Sequence, residues 1–315
     1  MKASIALLAV LLSAVTSHAL SDTFGSGANT FDIEFVTIGN PGNAADTTGN
    51  PNPAGSVPYT YHIGKFEIYM QMIDKANALG GISITKPTAG ADKPARGVSW
   101  NEAARFVNWL NTSTGSPAAY KFAIQPGEVG YSANANIQLW APGDAGYNPN
   151  NLYRNSLARY FVPSADEWYK AAHYDPTSAV YFDYPTGSDS APTAVASGSA
   201  AGTAVYRQSF ATGPADITLA GGLSPYGTMG QGGNVWEWEE TDYDLMNDFS
   251  SSARGVRGGD WESSHLELLS SSVRSYVFPI TEAITVGFRV ASIPEPGTLL
   301  LGALAGLGLL WRRRR

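Results

Sequence analysis

The sequence predicts an α+β domain built from small mixed sheets, two or three helices and much irregular loop. Three observations carry that expectation. Two runs, FDIEFVTIGN (31–40) and YTYHIGKFEIY (59–69), are rich in β-branched and aromatic residues, as half-buried strands are. Two others, SWNEAARFVNWL and PSADEWYKAA, open on Ser and carry Glu three residues later, which is the capping-box signature of a helix start. Gly and Pro number 34 and 19 among 315 residues, which is loop-rich yet below the level of a disordered chain.

The elements follow in order. MKASIALLAVLLSAVTSHA has a basic Lys2, an apolar run from Ile5 to Val15, and small residues Ser17 and Ala19 before a cleavage point, so residues 1–19 read as a signal peptide. Residues 22–292 show no linker or internal repeat and read as one domain. Strands are expected at 31–40 and 59–69. The stretch MQMIDKANALGG then predicts a short helix stopped by Gly80-Gly81.

In the helix after Ser99, the residues Ala103, Phe106, Val107 and Leu110 fall on one face. In the helix after Ser164, the apolar face is Trp168, Ala171 and Ala172, and Pro163 blocks upstream continuation. Residues 184–233 are short on periodicity, and fifty such residues need something to hold them down, either a bound cation or a tryptophan-rich core. RGVRGGDW, SSVRSYVF and TVGFRVAS read as short closing strands.

Charge and cysteine content exclude whole classes of function. There is no Cys and there are only four His, which removes disulfide and thiol chemistry. Loss of Lys2 and the four terminal arginines would leave 15 basic residues against 27 acidic ones, a net charge near −12. Such a chain repels nucleic acid and suits cations or neutral polysaccharide. No G-x-S-x-G elbow, H-E-x-x-H helix or phosphate loop occurs. His62 and His173 have no evident partners. His265, between Glu262 and Glu267, would bind a metal or exchange protons if the three converge, and is otherwise a solvated imidazole. Asp242, Asp244 and Asp248 read as a solvated acidic surface, with a cation site as the alternative.

The C-terminus places Pro294-Glu295-Pro296 before a 13-residue stretch, Leu299–Trp311, and four arginines. At ~1.5 Å per residue that stretch spans ~20 Å, short of a ~30 Å hydrocarbon core. The three features in this order resemble the PEP-CTERM sorting signal of Gram-negative bacteria. The resemblance implies that residues 293–315 are a transient inner-membrane anchor recognised by an exosortase. It also implies export to the cell surface or extracellular matrix and a link with exopolysaccharide.

Within the domain, KFEIYMQMIDKANALG, VSWNEAARFVNWLN, YFVPSADEWYKAA, GGNVWEW, RGGDW and GFRV occur in an order similar to that of the sulfatase-modifying factor family, which includes the formylglycine-generating enzymes. The resemblance implies a variant of the C-type lectin fold. It also implies a calcium ion held by the Gly233 and Val235 carbonyls and the Glu237 carboxylate, hard oxygen ligands of the right kind. The alternative for Glu237 is an ion pair with Arg257 or Arg289. Trp236 and Trp238 are two residues apart, share a side in extended chain, and read as core.

Two departures from the family stand out. Gly230 sits where the family carries Asn or Asp, and no Asp, Glu or Asn occurs between Asp189 and Asp216 to supply a second calcium site. Ser263 falls where the family's enzymes place the first of a copper-binding cysteine pair and Leu268 lies near the second, and a serine hydroxyl does not replace a thiolate there. Copper is therefore not expected. The expectation is a non-catalytic binding module for a polysaccharide or protein ligand, whose face includes Trp261, Glu262, Ser263, His265 and Arg274, with Trp261 exposed for stacking. The competing expectation is an oxidoreductase-like enzyme using metal chemistry without cysteine.

Overall fold

The alternating run FDIEFVTI forms strand β2, Phe31–Ile38, and a strand not foreseen, β1, Leu20–Phe24, precedes it. The structure is a computed structural model and describes residues 20–294. The signal-peptide residues and the sorting segment from Glu295 onward lie outside the described residues. β1 and β2 pair antiparallel from Leu20↔Phe35 to Phe24↔Phe31. The period of two turns Phe31, Ile33 and Phe35 into the core and Asp32 outward.

Strand β3, Tyr61–Gly64, is shorter than its sequence run, because Lys65 to Tyr69 peel away toward the first helix. Helix α1, Met70–Gly80, ends at Gly81 with φ +59°, a left-handed C-terminal residue that glycine adopts without strain. Helix α2, Trp100–Ser113, follows. Strand β4, Tyr160–Phe161, then leads into helix α3, Ala165–His173. Both capping boxes are formed: Ser99 with Glu102, and Ser164 with Glu167.

After α3 come a hairpin, β5 (Tyr174–Asp175) and β6 (Val180–Tyr181), and a parallel pair, β7 (Thr193–Val195) and β8 (Thr203–Val205). The chain closes with β9 (Trp236–Asp242), β10 (Arg254–Arg257), β11 (Ser275–Val277), β12 (Val286–Gly287) and β13 (Ala291–Ser292).

Two main sheets result. One has the order β1-β2-β3-β13-β4 and the other β11-β10-β9-β12. The tryptophan strand and the GFRV segment meet, with Val286 beside Trp236 in a parallel β9–β12 pair.

The main core lies between the first sheet and α2. Phe31 stacks on Phe106 and Trp109, and Phe106 meets Phe288 edge-on. Trp100, Trp168, Trp238 and Trp261 are fully buried. At ~200 Å² of ring surface each and ~25 cal/mol per Å², each tryptophan contributes roughly 5 kcal/mol of transfer free energy.

The long segment 184–233 is held by packing. Val205 and Ala215 pack with Val235 and Trp261, while Ala204 and Tyr206 pack with Leu269. Bridges such as Val205↔Gly233 tie it to the second sheet. Among the described residues, no helix is long and apolar enough to cross a membrane.

Candidate functional site

Strand β9 carries WEWEETD, and its four carboxylates, Glu237, Glu239, Glu240 and Asp242, are all buried. Each meets an arginine delivered from elsewhere in the chain. Arg289, just after β12, forks onto Glu237 with Nη2–Oε1 at 2.5 Å and Nε–Oε2 at 2.6 Å. Glu239 accepts from Arg257 Nε at 2.6 Å and from Arg274 Nε at 2.7 Å. Arg154 bridges Glu240 at 2.8 Å and Glu167 at 2.9 Å. Arg254 meets Asp242 at 2.5 Å.

The tryptophan N–H groups lock the same strand. Trp168 donates to Glu237 Oε2 at 2.7 Å, Trp100 to the Glu239 carbonyl at 2.9 Å, and Trp238 to the Val98 carbonyl at 2.9 Å. The alternation of Trp and Glu is thus a packing device in which rings and ion pairs share one strand. Asp242 corrects an expectation: it is not a solvated acid. Tyr153 and Arg254 close over it, and burial holds its carboxyl above the usual range despite Arg254. Asp244 and Asp248 are exposed, as expected.

At the position expected for calcium, the Arg289 alternative for Glu237 is the contact formed. Beside it lies a residue that the sequence did not single out for chemistry. Glu67 is buried, and its Oε1 accepts from Asn234 Nδ2 at 2.8 Å while its Oε2 has no partner. Burial, and then the neighbouring Glu237 carboxylate, push the Glu67 carboxyl up to about 7. Gly230 makes room for it, because a Cβ there would lie 2.5 Å from Glu67 Oε1. The missing Asn or Asp at 230 is therefore matched in space by a carboxylate from the chain leaving β3.

The expected binding face is not one face. Trp261 is 0% exposed, with Arg96 over its ring at 5.1 Å and Phe210 at 6.2 Å. The Ser- and Glu-rich context suggested an exposed loop. Instead the backbone is pinned, Trp261 N to the Asn234 carbonyl and Gln208 N to the Trp261 carbonyl, so the ring turns inward. Ser263 is buried, and its Oγ donates to Asp260 Oδ1 and accepts from the Asp260 N–H, both at 2.9 Å. Arg274 is buried on Glu239. Glu262 is half-buried and only His265 is well exposed. Among the described residues no three His, Asp or Glu side chains converge to hold a metal, so His265, Glu262 and Glu267 do not form such a group.

His173 is fully buried. Its Nδ1 lies 3.0 Å from the Phe182 carbonyl, and burial followed by nearby Arg257 drops its pKa to about 3, so it is a neutral core residue. His62, half-buried in β3, is also shifted down by burial.

Two surface features were not foreseen. An open cleft of about 390 Å³ is lined by Asp32, Glu34, Phe66, Glu67, Tyr69 and Asp92, among others. Glu34 is paired with Lys65. On the opposite sheet, the loop after β9 and the segment from β11 form an apolar surface. Phe249 is 67% exposed and Phe278 56%, with Tyr243, Leu245, Met246, Tyr276 and Ile280 also exposed. Tyr243 and Tyr276 touch, with ring centroids 4.9 Å apart. A groove of about 240 Å³ runs between Ser251, Asn136 and the Phe278–Ile280 turn. A cluster of exposed apolar side chains marks an interaction site more often than a lone one does.

Comparison with known proteins places this geometry in a family. Residues 57–293 match the model of the sulfatase-modifying factor enzyme 1-like domain, and residues 292–315 match the PEP-CTERM protein-sorting motif. Among solved structures, Treponema denticola variable protein 1 superposes with a TM-score of 0.58 at 17% identity, covering 88% of this chain and 100% of its own. CarF gives 0.57 at 17% identity, covering 84% and 99%. PvdO from Pseudomonas aeruginosa gives 0.53 at 15% identity, covering 87% and 98%. These likenesses show the fold, the formylglycine-generating-enzyme type of the C-type lectin fold. No functionally curated protein matches the sequence.

Proposed function

The chain belongs to the sulfatase-modifying factor family, and from that premise we propose that it is a non-catalytic binding module displayed on the cell surface or in the extracellular matrix. The sorting motif implies export in a Gram-negative cell, membrane anchoring and recognition by an exosortase. The observation that carries the non-catalytic reading is the chemistry at residues 263 and 268. Where the family's enzymes hold their cysteine pair, this chain has Ser263, fastened to Asp260, and Leu268. Neither side chain binds copper or forms a mixed disulfide.

The binding face is the apolar surface of Tyr243, Phe249, Tyr276 and Phe278, in place of Trp261. Aromatic rings of this kind stack on the apolar faces of sugars. Asp244 and Asp248 beside them repel polyanions, which favours a neutral matrix polysaccharide. A glycan and peptide array probed with the wild type and a Tyr276→Ala/Phe278→Ala double variant tests this. The expected result is a neutral glycan bound by the wild type and lost in the variant. Binding of nothing, or equal binding by both, overturns the assignment.

Calcium belongs to this proposal through the family likeness. The donors are hard oxygens, and the Arg289 guanidinium is taken by Glu237, which leaves Glu67 Oε2 unpartnered. With Glu237 taken by Arg289, a calcium ion would be held by Glu67 and the Gly233 and Val235 carbonyls, neutralising that surplus charge. Its role would be structural, fastening residues 230–237 to the chain leaving β3.

A further inference from the structure

We propose that the groove between Asn136, Ser251 and the Phe278–Ile280 turn is the subsite that reads the hydroxyls of the bound glycan. It takes one neutral pyranose whose hydroxyls lie at the ring edge, as in a glucan. The inference rests on the binding face assigned above and adds the polar groups that give it selectivity. The groove holds about 240 Å³. That is roughly eight waters' share of volume at ~30 Å³ each, room for one sugar ring and its hydroxyls. Its apolar wall is Phe278, Pro279 and Ile280, with Phe278 and Ile280 each 56% exposed.

The polar side offers two groups that the fold itself does not use. Asn136 and Ser251 are both exposed, and both line the groove. Asn136 Oδ1 accepts from the Nδ2 of buried Asn101 at 2.9 Å, which fixes the plane of the Asn136 amide. Among the described residues, nothing bonds the Asn136 Nδ2 or the Ser251 hydroxyl. An aromatic surface alone holds pyranoses of many kinds. A fixed amide and a hydroxyl beside it disfavour a ring whose hydroxyls do not match them.

The wall is held in place before any ligand arrives. The Thr281 N–H closes the turn on the Phe278 carbonyl at 2.9 Å, and the Asn101 N–H reaches the Pro279 carbonyl at 3.2 Å. Asn134 Nδ2 donates to the Ile280 carbonyl at 2.9 Å. A wall already fixed spares part of the ordering cost of binding. No charged side chain lines the groove. Glu282, which accepts from Asn134 at 3.2 Å, puts a negative charge beside the turn. That arrangement favours an uncharged sugar over a uronate or a sulfated one.

The test is calorimetric titration of the full chain with cellohexaose, maltohexaose, mannohexaose and an oligogalacturonate. The wild type should bind at least one of the two glucans saturably, and more tightly than mannohexaose, whose 2-hydroxyl is axial, or the charged oligogalacturonate. Asn136→Ala should weaken glucan binding about fivefold, the worth of one hydrogen bond, and narrow the preference over mannohexaose. Ser251→Phe, which fills the groove and leaves the outer rings in place, should abolish binding. Both substitutions are at exposed positions, so the fold is kept. A wild type that binds neither glucan overturns the subsite, and the array then decides separately whether the face stands. Unchanged affinity in either variant, while Tyr276→Ala/Phe278→Ala abolishes binding, overturns the subsite and leaves the face standing.

Discussion

Residues 236–242 and residues 243–249 are adjacent in sequence and opposite in polarity. The first seven bury four carboxylates, and the next seven expose Tyr243, Leu245, Met246 and Phe249. Charges lie inside and apolar groups outside, the reverse of the usual partition. Inside, each carboxylate is satisfied by an arginine from β10, from the segments flanking β11 and β12, or from the chain before β4. Outside, Tyr243 lies against Tyr276 and under the Arg274 guanidinium, while Leu245, Met246 and Phe249 stay exposed. Burial of charge is stable here because the partners are internal and fixed, whereas the exposed rim is the face proposed above to meet another molecule.

The sharpest way to break that contrast is Glu239→Gln. It strands two buried guanidinium groups, Arg257 and Arg274, at once, and breaking a buried pair costs about 3–5 kcal/mol. Chemical denaturation should show a loss of that size, and a loss under about 1 kcal/mol would mean that the ion pairs do not frame the strand.

A smaller effect comes from Glu67, whose carboxyl rises from 4.5 to about 7 on folding. A raised carboxyl binds more protons in the folded state, so its contribution is present below pH 4.5 and is lost as pH climbs through 7. The loss amounts to about 3 kcal/mol. His173 has the opposite slope: with its pKa dropped to about 3, it destabilises the fold as pH falls below 6.5. The difference between wild type and Glu67→Gln isolates the first slope, and thermal unfolding from pH 5 to 8 should show it flattened in the variant. Calcium should flatten it in the wild type. An unchanged slope in Glu67→Gln would remove Glu67 as its source.

The smallest effect is on the rim. Tyr276→Ser with Phe278→Ser should change stability by no more than about 1 kcal/mol, since exposed positions typically move it by ~0.5 each, while glycan binding on the array should fall. A large destabilisation would show that the rim is core.

The three helices were legible because their signals are local: two capping boxes and a glycine stop. β2 was legible by its period of two. β1 was not, because LSDTF has little strand character and is held by pairing with β2. Trp261 was misjudged because its burial depends on Val205 and Ala215, some fifty residues away in sequence, and on a backbone clamp from Gln208. Asp242 looked solvated beside Asp244 and Asp248, and only the β9–β10 register, which sets Arg254 opposite Asp242, shows why it is not. Glu67 stood out only as one residue of a family block. Its importance lies in its place beside Glu237, which is 170 positions further along the sequence and takes the Arg289 guanidinium for itself.

Strand β13 has only two residues, yet it sits between β3 and β4 inside the five-stranded sheet, and the match to the sorting motif begins at its last residue, Ser292. If the protein is tethered through that end, any drag from flowing liquid arrives first at Ala291 and Ser292, where ladders on both sides must shear together before the interior feels the load. The rim lies on the other sheet, away from this line of tension, and would keep its shape while the tether is pulled taut.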